Sequence, residues 1–483
     1  MGTLKQDRRR LPLAVAPFAS MWPLLVTVLV LAVGIYLASS GPRSSKPIAS
    51  SVDRNSRRVT ARAYLPGSWN NHATCTDAYS FVTDMNVRQT PNLPEPSARV
   101  AFRDPVFGTW VVRVSDRTSD IAADDPSPGL KNEYSRVQSF NADGTQFLLR
   151  GINATWYLYD SNTLRTIRKL PFDGSVDPRW DASRPDILYY SQDTRLMSCN
   201  VRTLDVGTLH EFADDFPGQR LAVVWTRYEG SPSLDGRYWG LMAQDENWQV
   251  VALLVYDQQT NRIVARRDLP DRPEIDSVTI SPLGNYFIAY FDRYCEPGYP
   301  GSDSRPCGLM VYDRDLGNGR SLLRIAGHSD LALDSGGREV LIYQDIDTDQ
   351  ISMLNLASGI VTALSPIDYS HTSIGLHFSG RALRRPGWAV VSTYNGGYPL
   401  DYTWMDDQVF AVELKPSGRV VRLAHTHSLY DEAQEHDYWA EPHASANPDL
   451  TRILFTSNWG RTGTEQVETF MVQLPPNWTS CLR

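Results

Sequence analysis

The stretch Ser139-Phe-Asn-Ala-Asp-Gly144, followed by apolar residues 147–149 and then by Trp156-Tyr-Leu-Tyr-Asp160, decides how the chain is read. Its middle is a turn. Asn and Asp side chains accept nearby backbone hydrogen bonds, and Gly tolerates the left-handed conformation that a tight reversal needs. The flanking runs of β-formers are too short for helices. The unit then recurs. Pro178-Arg-Trp-Asp-Ala182 precedes Ile187-Leu-Tyr-Tyr190. Ser231-Pro-Ser-Leu-Asp-Gly236 precedes Leu253-Leu-Val-Tyr-Asp257, and Ile280-Ser-Pro-Leu-Gly284 precedes Leu309-Met-Val-Tyr-Asp313. Ala332-Leu-Asp-Ser-Gly-Gly337, His377-Phe-Ser-Gly-Arg381 and Ser445-Ala-Asn-Pro-Asp449 open three more copies, each with an apolar run after it.

Seven copies mostly about 40–53 residues apart, with a longer gap before the last, are the signature of propeller blades. The reading is an all-β, seven-bladed β-propeller of four-stranded blades over residues 63–483, preceded by one N-terminal hydrophobic helix. A two-sheet sandwich is the alternative, and seven repeats of one unit argue against it. Residues 100–114, with Phe107-Gly-Thr-Trp-Val-Val, precede the first turn and are expected to add a strand to the last blade, closing the ring.

The turns resemble those of the TolB-like (WD40-like) propeller repeat, in which this turn joins the innermost strand of a blade to the second. The resemblance covers nearly all of residues 100–475. It bears on fold far more than on function, because propellers host many activities.

Upstream the chain changes character. Of the 47 basic and 55 acidic residues, nine and two fall in residues 1–60, leaving a net charge of −15 on the remainder. An acidic body repels phosphate backbones, so nucleic acid is not an expected partner. The basic start has another meaning. Residues 1–20 carry Lys5 and Arg8-Arg-Arg10, no charge occurs over 11–42, and 21–40 is apolar over about the length a bilayer requires. Basic residues ahead of such a span favour a cytoplasmic N-terminus. Residues 21–40 read as a transmembrane signal anchor, the alternative being a signal peptide cut after the small residues Ala38 and Ser40. Residues 41–62 read as a flexible linker. The membrane is thus one expected partner, and the propeller is expected outside the cytoplasm, or secreted if the segment is cleaved.

Five cysteines suit that compartment. Cys295 and Cys307 bracket a Pro/Gly-rich stretch between two apolar runs and are expected to bond. Cys75 and Cys481 lie near the two ends of the body, which a propeller brings together, and could bond. Cys199 is left over as a buried apolar side chain.

Residues just before each turn belong on the innermost strand, facing the central channel. Blade by blade they include Gln138, Arg179, Glu229, Asp276, Ser277, His328, Asp330, His371, His377, Glu441 and His443. Such groups are kept in a channel when they are paired, hydrated or used. Six of the nine histidines fall between His371 and His443. His425-Thr-His427 would place two imidazoles on one face of a strand, a spacing that suits a divalent metal, with His443 able to converge on them. Asp345-Ile-Asp-Thr-Asp349 alternates carboxylates but lacks the glycine of a calcium loop, and reads as a solvated turn. Neither a Gly-x-Ser-x-Gly elbow nor a phosphate-binding Gly-rich loop occurs, which disfavours a propeller peptidase and a nucleotide enzyme.

Two functions follow. The first is a propeller that binds a glycan, a peptide or an envelope protein at its channel mouth and top loops. Gln138, Glu229, Glu441, Tyr398 and Trp404 are the candidate contacts, the aromatics offering area for stacking. The second comes from resemblance: the chain is similar in plan to oligogalacturonate-lyase and ulvan-lyase propellers. That implies catalysis at the channel end by a histidine or tyrosine with a positive group and, in some members, a metal ion. His328, His371, His443 and Arg179 are then the catalytic candidates. A Gln/His metal cluster is echoed by His425, His427 and His443, with a divalent ion as the implied cofactor.

Overall fold

The computed structural model describes residues 81–482, except 173–175, 372–373, 396–401 and 432. The expected hydrophobic helix lies outside the described residues. Among the described residues no helix is long and apolar enough to cross a membrane.

The described chain forms seven antiparallel sheets, each an up-and-down meander whose strands follow in sequence from the inside out, as in Leu221–Trp225, Tyr238–Asp245, Val250–Asp257 and Arg262–Asp268. The third strand of that blade, VVALLVYD, is buried along its whole length, whereas the outermost, RIVARRD, alternates between exposed and half-buried residues. Inner strands therefore read as continuous apolar runs and outer strands as two-faced ones. The recurring turn closes as its sequence requires. Asn141 Oδ1 accepts the Gln146 N–H at 3.0 Å and Asp143 Oδ1 that of Thr145 at 3.0 Å. Gly144, Gly236, Gly284 and Gly337 occupy one equivalent position with φ between 71° and 75°, where an L side chain is strained. The Tyr-Asp ending of the third strand also has a purpose: Asp160 Oδ1 accepts the N–H groups of Asn162 and Thr163 and starts the next reversal.

The last sheet is the exception to four strands. Ser445–Ala446, Arg452–Ser457 and Glu468–Gln473 are joined on the outside by Trp110–Arg113 and then Ala101–Arg103. Trp110 faces Gln473 and Arg113 faces Phe470, so the chain's beginning closes the ring onto its end. Seven principal apolar clusters fill the seven blade interfaces, one each; Leu331 and Leu341, for example, pack against Ile288 and Val311 of the preceding blade.

The first blade departs from the rest. Its innermost strand begins as Leu130–Lys131, paired with Arg150 and Gly151. The chain then leaves the sheet over residues 132–138 and rejoins it where Phe140 bridges Phe147. This excursion carries Tyr134, Arg136 and Gln138 into the axial channel, where they meet partners on other blades, while Glu133 pairs with Arg150 of its own blade.

Candidate functional site

In a meander, the starting end of each innermost strand shares one face with the loops joining second and third strands. The polar residues of the channel gather at that end. Lys131, Glu441 and His443, each 2–7 % exposed, and His377 at 1 % form the floor. Tyr134, Tyr228, Glu229, Asp276, His328, Tyr430 and Tyr438 are half-buried around it.

The floor is a chain of contacts. Lys131 Nζ lies 3.3 Å from His443 Nδ1 and 5.3 Å above the Trp439 ring. His443 Nε2 is 3.1 Å from Glu441 Oε2, and His377 Nε2 is 3.4 Å from the same oxygen. The Tyr394 hydroxyl donates to Glu441 Oε1 at 2.9 Å. Ring centroids of His377 and His443 are 4.2 Å apart, and His328 follows at 4.9 Å from His377. Burial dominates the electrostatics. It lowers Lys131 to about 8 and raises Glu441 to about 7. His328 is brought down to about 4, mainly by burial and then by Arg136. His377 and His443 are held well below the ordinary imidazole value by burial, then by His443 and Lys131 respectively, so both are neutral at pH 7.

His377, Glu441 and His443 bring three ligand atoms within 4.8 Å of one another. Their separations of 3.1 and 3.4 Å match two ligands at about 2.0–2.2 Å from one divalent ion. Two neutral imidazoles and a carboxylate are a set that transition metals accept. The trio therefore fits a metal ion.

A second group faces it across the mouth. Arg136 Nη1 donates to Glu229 Oε2 at 2.6 Å and Nε to the Ser329 carbonyl at 2.6 Å, with the guanidinium 4.5 Å from the Tyr290 ring. Burial raises Glu229, and burial followed by the Glu229 charge raises Asp276 to about 7. Asp292 is raised to about 6 by burial and then by Asp276.

The expected site residues divide accordingly. His443, Glu441 and His328 meet at the mouth, and Glu229 lines it. Arg179 is buried and spent on carbonyls, donating to Gly230 O at 2.7 Å and Tyr228 O at 2.6 Å, so it ties the second blade to the third. Gln138 reaches Ala446 O of the adjoining last blade at 3.0 Å and Arg381 O after the sixth inner strand at 3.3 Å. His371 is not on an inner strand: it sits exposed on a loop, 2.9 Å from Asp368. His425 and His427 do not converge with His443. Gln408–Glu413 pairs outward with Val420–His425, the outermost strand of the sixth blade, whereas His443 precedes an innermost strand. That strand ends at His425, and the positive φ of His427 breaks the expected alternation. His425 stacks on Phe107 and its N–H is taken by Asp104; His427 stacks on Trp459 at 4.0 Å. Trp404 is packed inward 5.3 Å from Phe410. Tyr398 and Cys75 lie outside the described residues. Cys295 and Cys307 are bonded, and Cys199 is a buried free thiol, as expected. The Asp345 to Asp349 turn spends its carboxylates locally, Asp345 on the Asp347 N–H and Asp347 on Arg324.

Lys131, Tyr134 and Arg136 were not singled out from the sequence. They lie before the first turn, like the other channel residues, but in an excursion that no repeat pattern announces.

No family model matches this chain, and no curated protein does. Solved structures do. An oligogalacturonate lyase in complex with manganese superposes with a TM-score of 0.52 at 16% identity, over 78% of this chain and 96% of its own. An oligogalacturonate lyase from Vibrio parahaemolyticus gives 0.52 at 13% identity, over 78% and 97%. At these identities the likeness is one of fold. The chain is a seven-bladed β-propeller similar in architecture to the oligogalacturonate lyases.

Proposed function

We propose that the channel mouth is the active site of a carbohydrate-processing enzyme that cleaves uronate-containing chains by β-elimination. The observation that carries this reading is the buried constellation Lys131–His443–Glu441–His377, with His328 and Tyr134 on its open side. Neutral imidazole is what a base needs, and His328 is neutral throughout the physiological range. It takes the proton from the carbon beside the uronate carboxylate. The electron pair left behind forms the ring double bond as the neighbouring glycosidic C–O bond breaks. Tyr134, its phenol held far above the usual value by burial, stays protonated and gives its proton to the departing oxygen. A divalent ion held by His377, Glu441 and His443 would supply charge neutralisation for the substrate carboxylate; manganese accompanies one of the lyases of similar fold.

A binding role without catalysis is the second reading, favoured by the half-buried tyrosines around the mouth, which suit sugar stacking. In either reading we take residues 21–40 as a membrane anchor with the propeller outside the cytoplasm, or secreted if that segment is cleaved. The Cys295–Cys307 disulfide suits that oxidising side. A polysaccharide or another envelope component is then the partner.

The deciding experiment follows the ultraviolet absorbance of a newly formed unsaturated sugar, using the full-length chain, a panel of uronate polysaccharides, added Mn²⁺ and chelator. A rise abolished by chelator supports the metal-assisted form; a rise insensitive to it supports His328 and Tyr134 acting without metal. No rise on any substrate removes the lyase reading and leaves glycan binding.

A further inference from the structure

The loop between the second and third strands of the fourth blade, residues 292–308, is a long insertion on the same face as the channel mouth. It starts at Asp292, whose N–H donates to the Glu274 carbonyl at 3.3 Å just before the innermost strand, so loop and mouth adjoin. The Cys295–Cys307 disulfide closes it, and Asp303 fastens its tip to Arg267 at 3.3 Å. The result is a cavity of about 210 Å³ floored by the two cysteines and walled by Arg293, Tyr299, Ser302 and Arg305.

Three properties of this cavity point to a ligand. Arg293 is exposed, its carbonyl takes the Gly308 N–H at 2.7 Å, and among the described residues its guanidinium pairs with no carboxylate; that planar fork matches a carboxylate. Tyr299 is 66% exposed and lines the cavity together with Tyr294, so an aromatic face is open to a ligand. Arg305 pairs only with the exposed Glu296, at 3.1 Å, which leaves the walls with a net positive charge on a body that is strongly acidic. The volume is below the roughly 300–1,000 Å³ that encloses a whole drug-sized ligand. It suits one ring of a longer chain.

We infer that this disulfide-closed pocket is a distal subsite that holds one uronate unit of a polymer whose reacting bond lies at the channel mouth. Arg293 takes the carboxylate and Tyr299 stacks on the sugar face. The inference rests on the uronate reading of the mouth and adds to it a preference for long chains.

The test is calorimetric titration of the full-length protein, in detergent, with tri- and octagalacturonate, alongside ultraviolet turnover of both. The parent should bind the octamer at least tenfold more tightly than the trimer. Arg293→Ala and Tyr299→Ala, both exposed positions, should erase that advantage while leaving trimer affinity and trimer turnover unchanged. Loss of affinity for both lengths alike, or no length dependence in the parent, overturns the subsite. Length-dependent binding with no turnover overturns the catalytic reading of the mouth and leaves the pocket standing. Turnover with length-independent binding does the reverse, and no binding of either probe overturns both.

Discussion

Arg136 is the residue whose removal has the most calculable outcome. It reaches from the first blade to Glu229 on the third and Ser329 on the fifth, and it is only 5% exposed. Arg136→Met keeps most of the stem volume and deletes the cation. Glu229 is then a buried carboxylate with its closest partner gone, beside Asp276. Breaking a buried pair from one side costs about 3–5 kcal/mol. The sign of the pH dependence follows. With Arg136 present Glu229 is already raised above its ordinary value, burial outweighing the arginine. Without it the folded-state value rises further, so the missing stability returns at low pH and is lost as pH climbs through that value. Urea unfolding at pH 8 should show the full 3–5 kcal/mol loss. At pH 5 the loss should shrink to the roughly 1–2 kcal/mol of the lost hydrogen bond to Ser329 and ring contacts. A deficit under about 1 kcal/mol at pH 8, or one equal at both values, would refute the assignment of this pair as the electrostatic brace of the channel.

Other outcomes are expected. Asp276→Asn should stabilise the protein at pH 8 by up to about 4 kcal/mol and flatten its stability between pH 4 and 7, because a carboxyl raised from 3.8 to about 7 weakens the fold as it ionises; paired denaturation curves at the two extremes check this. His443→Gln should abolish turnover or ligand binding with the circular-dichroism spectrum retained, and collapse of the spectrum would make it a structural residue. His425→Ala should do the opposite, lowering stability by about 2–3 kcal/mol through its lost contact with Phe107 while leaving mouth chemistry intact. His371→Ala should change neither melting temperature nor activity, since its ring is 60% exposed. Replacing Cys295 and Cys307 by Ser should cost up to about 3 kcal/mol by chain entropy, read as a fall in urea midpoint.

The repeat was legible because each blade obeys the same local rule, a turn with Asx caps and a left-handed glycine between apolar strands. Ring closure was legible for the same reason: residues 110–113 are a strand without a turn of their own. His443, Glu441 and His328 could be placed near the axis because the repeat numbers the strands. The metal-like trio was half visible. Its members stood in the channel, yet the nearby His425-x-His427 spacing drew attention to an outermost strand, and spacing along a strand says nothing about its rank in the blade. His371 failed for a related reason, since a loop of unpredictable length precedes the sixth inner strand. Lys131 and Arg136 were hidden most completely, because the first blade alone breaks its inner strand and sends residues 132–138 across the axis.

The shared last blade ties the two termini of the body in time as well as in space. Val112 pairs with Met471, so that contact closes a span of more than 350 residues, an entropic demand on the order of 5 kcal/mol on an otherwise open chain. Until the seventh repeat has been made, residues 101–113 remain an edge without a neighbour, and the sixth blade presents a bare interface. Unpaired edges are where chains aggregate. A nascent copy therefore waits as an open arc until its last repeat has been made. Its folding yield should therefore rise with a chaperone that shields strand edges until the ring has closed.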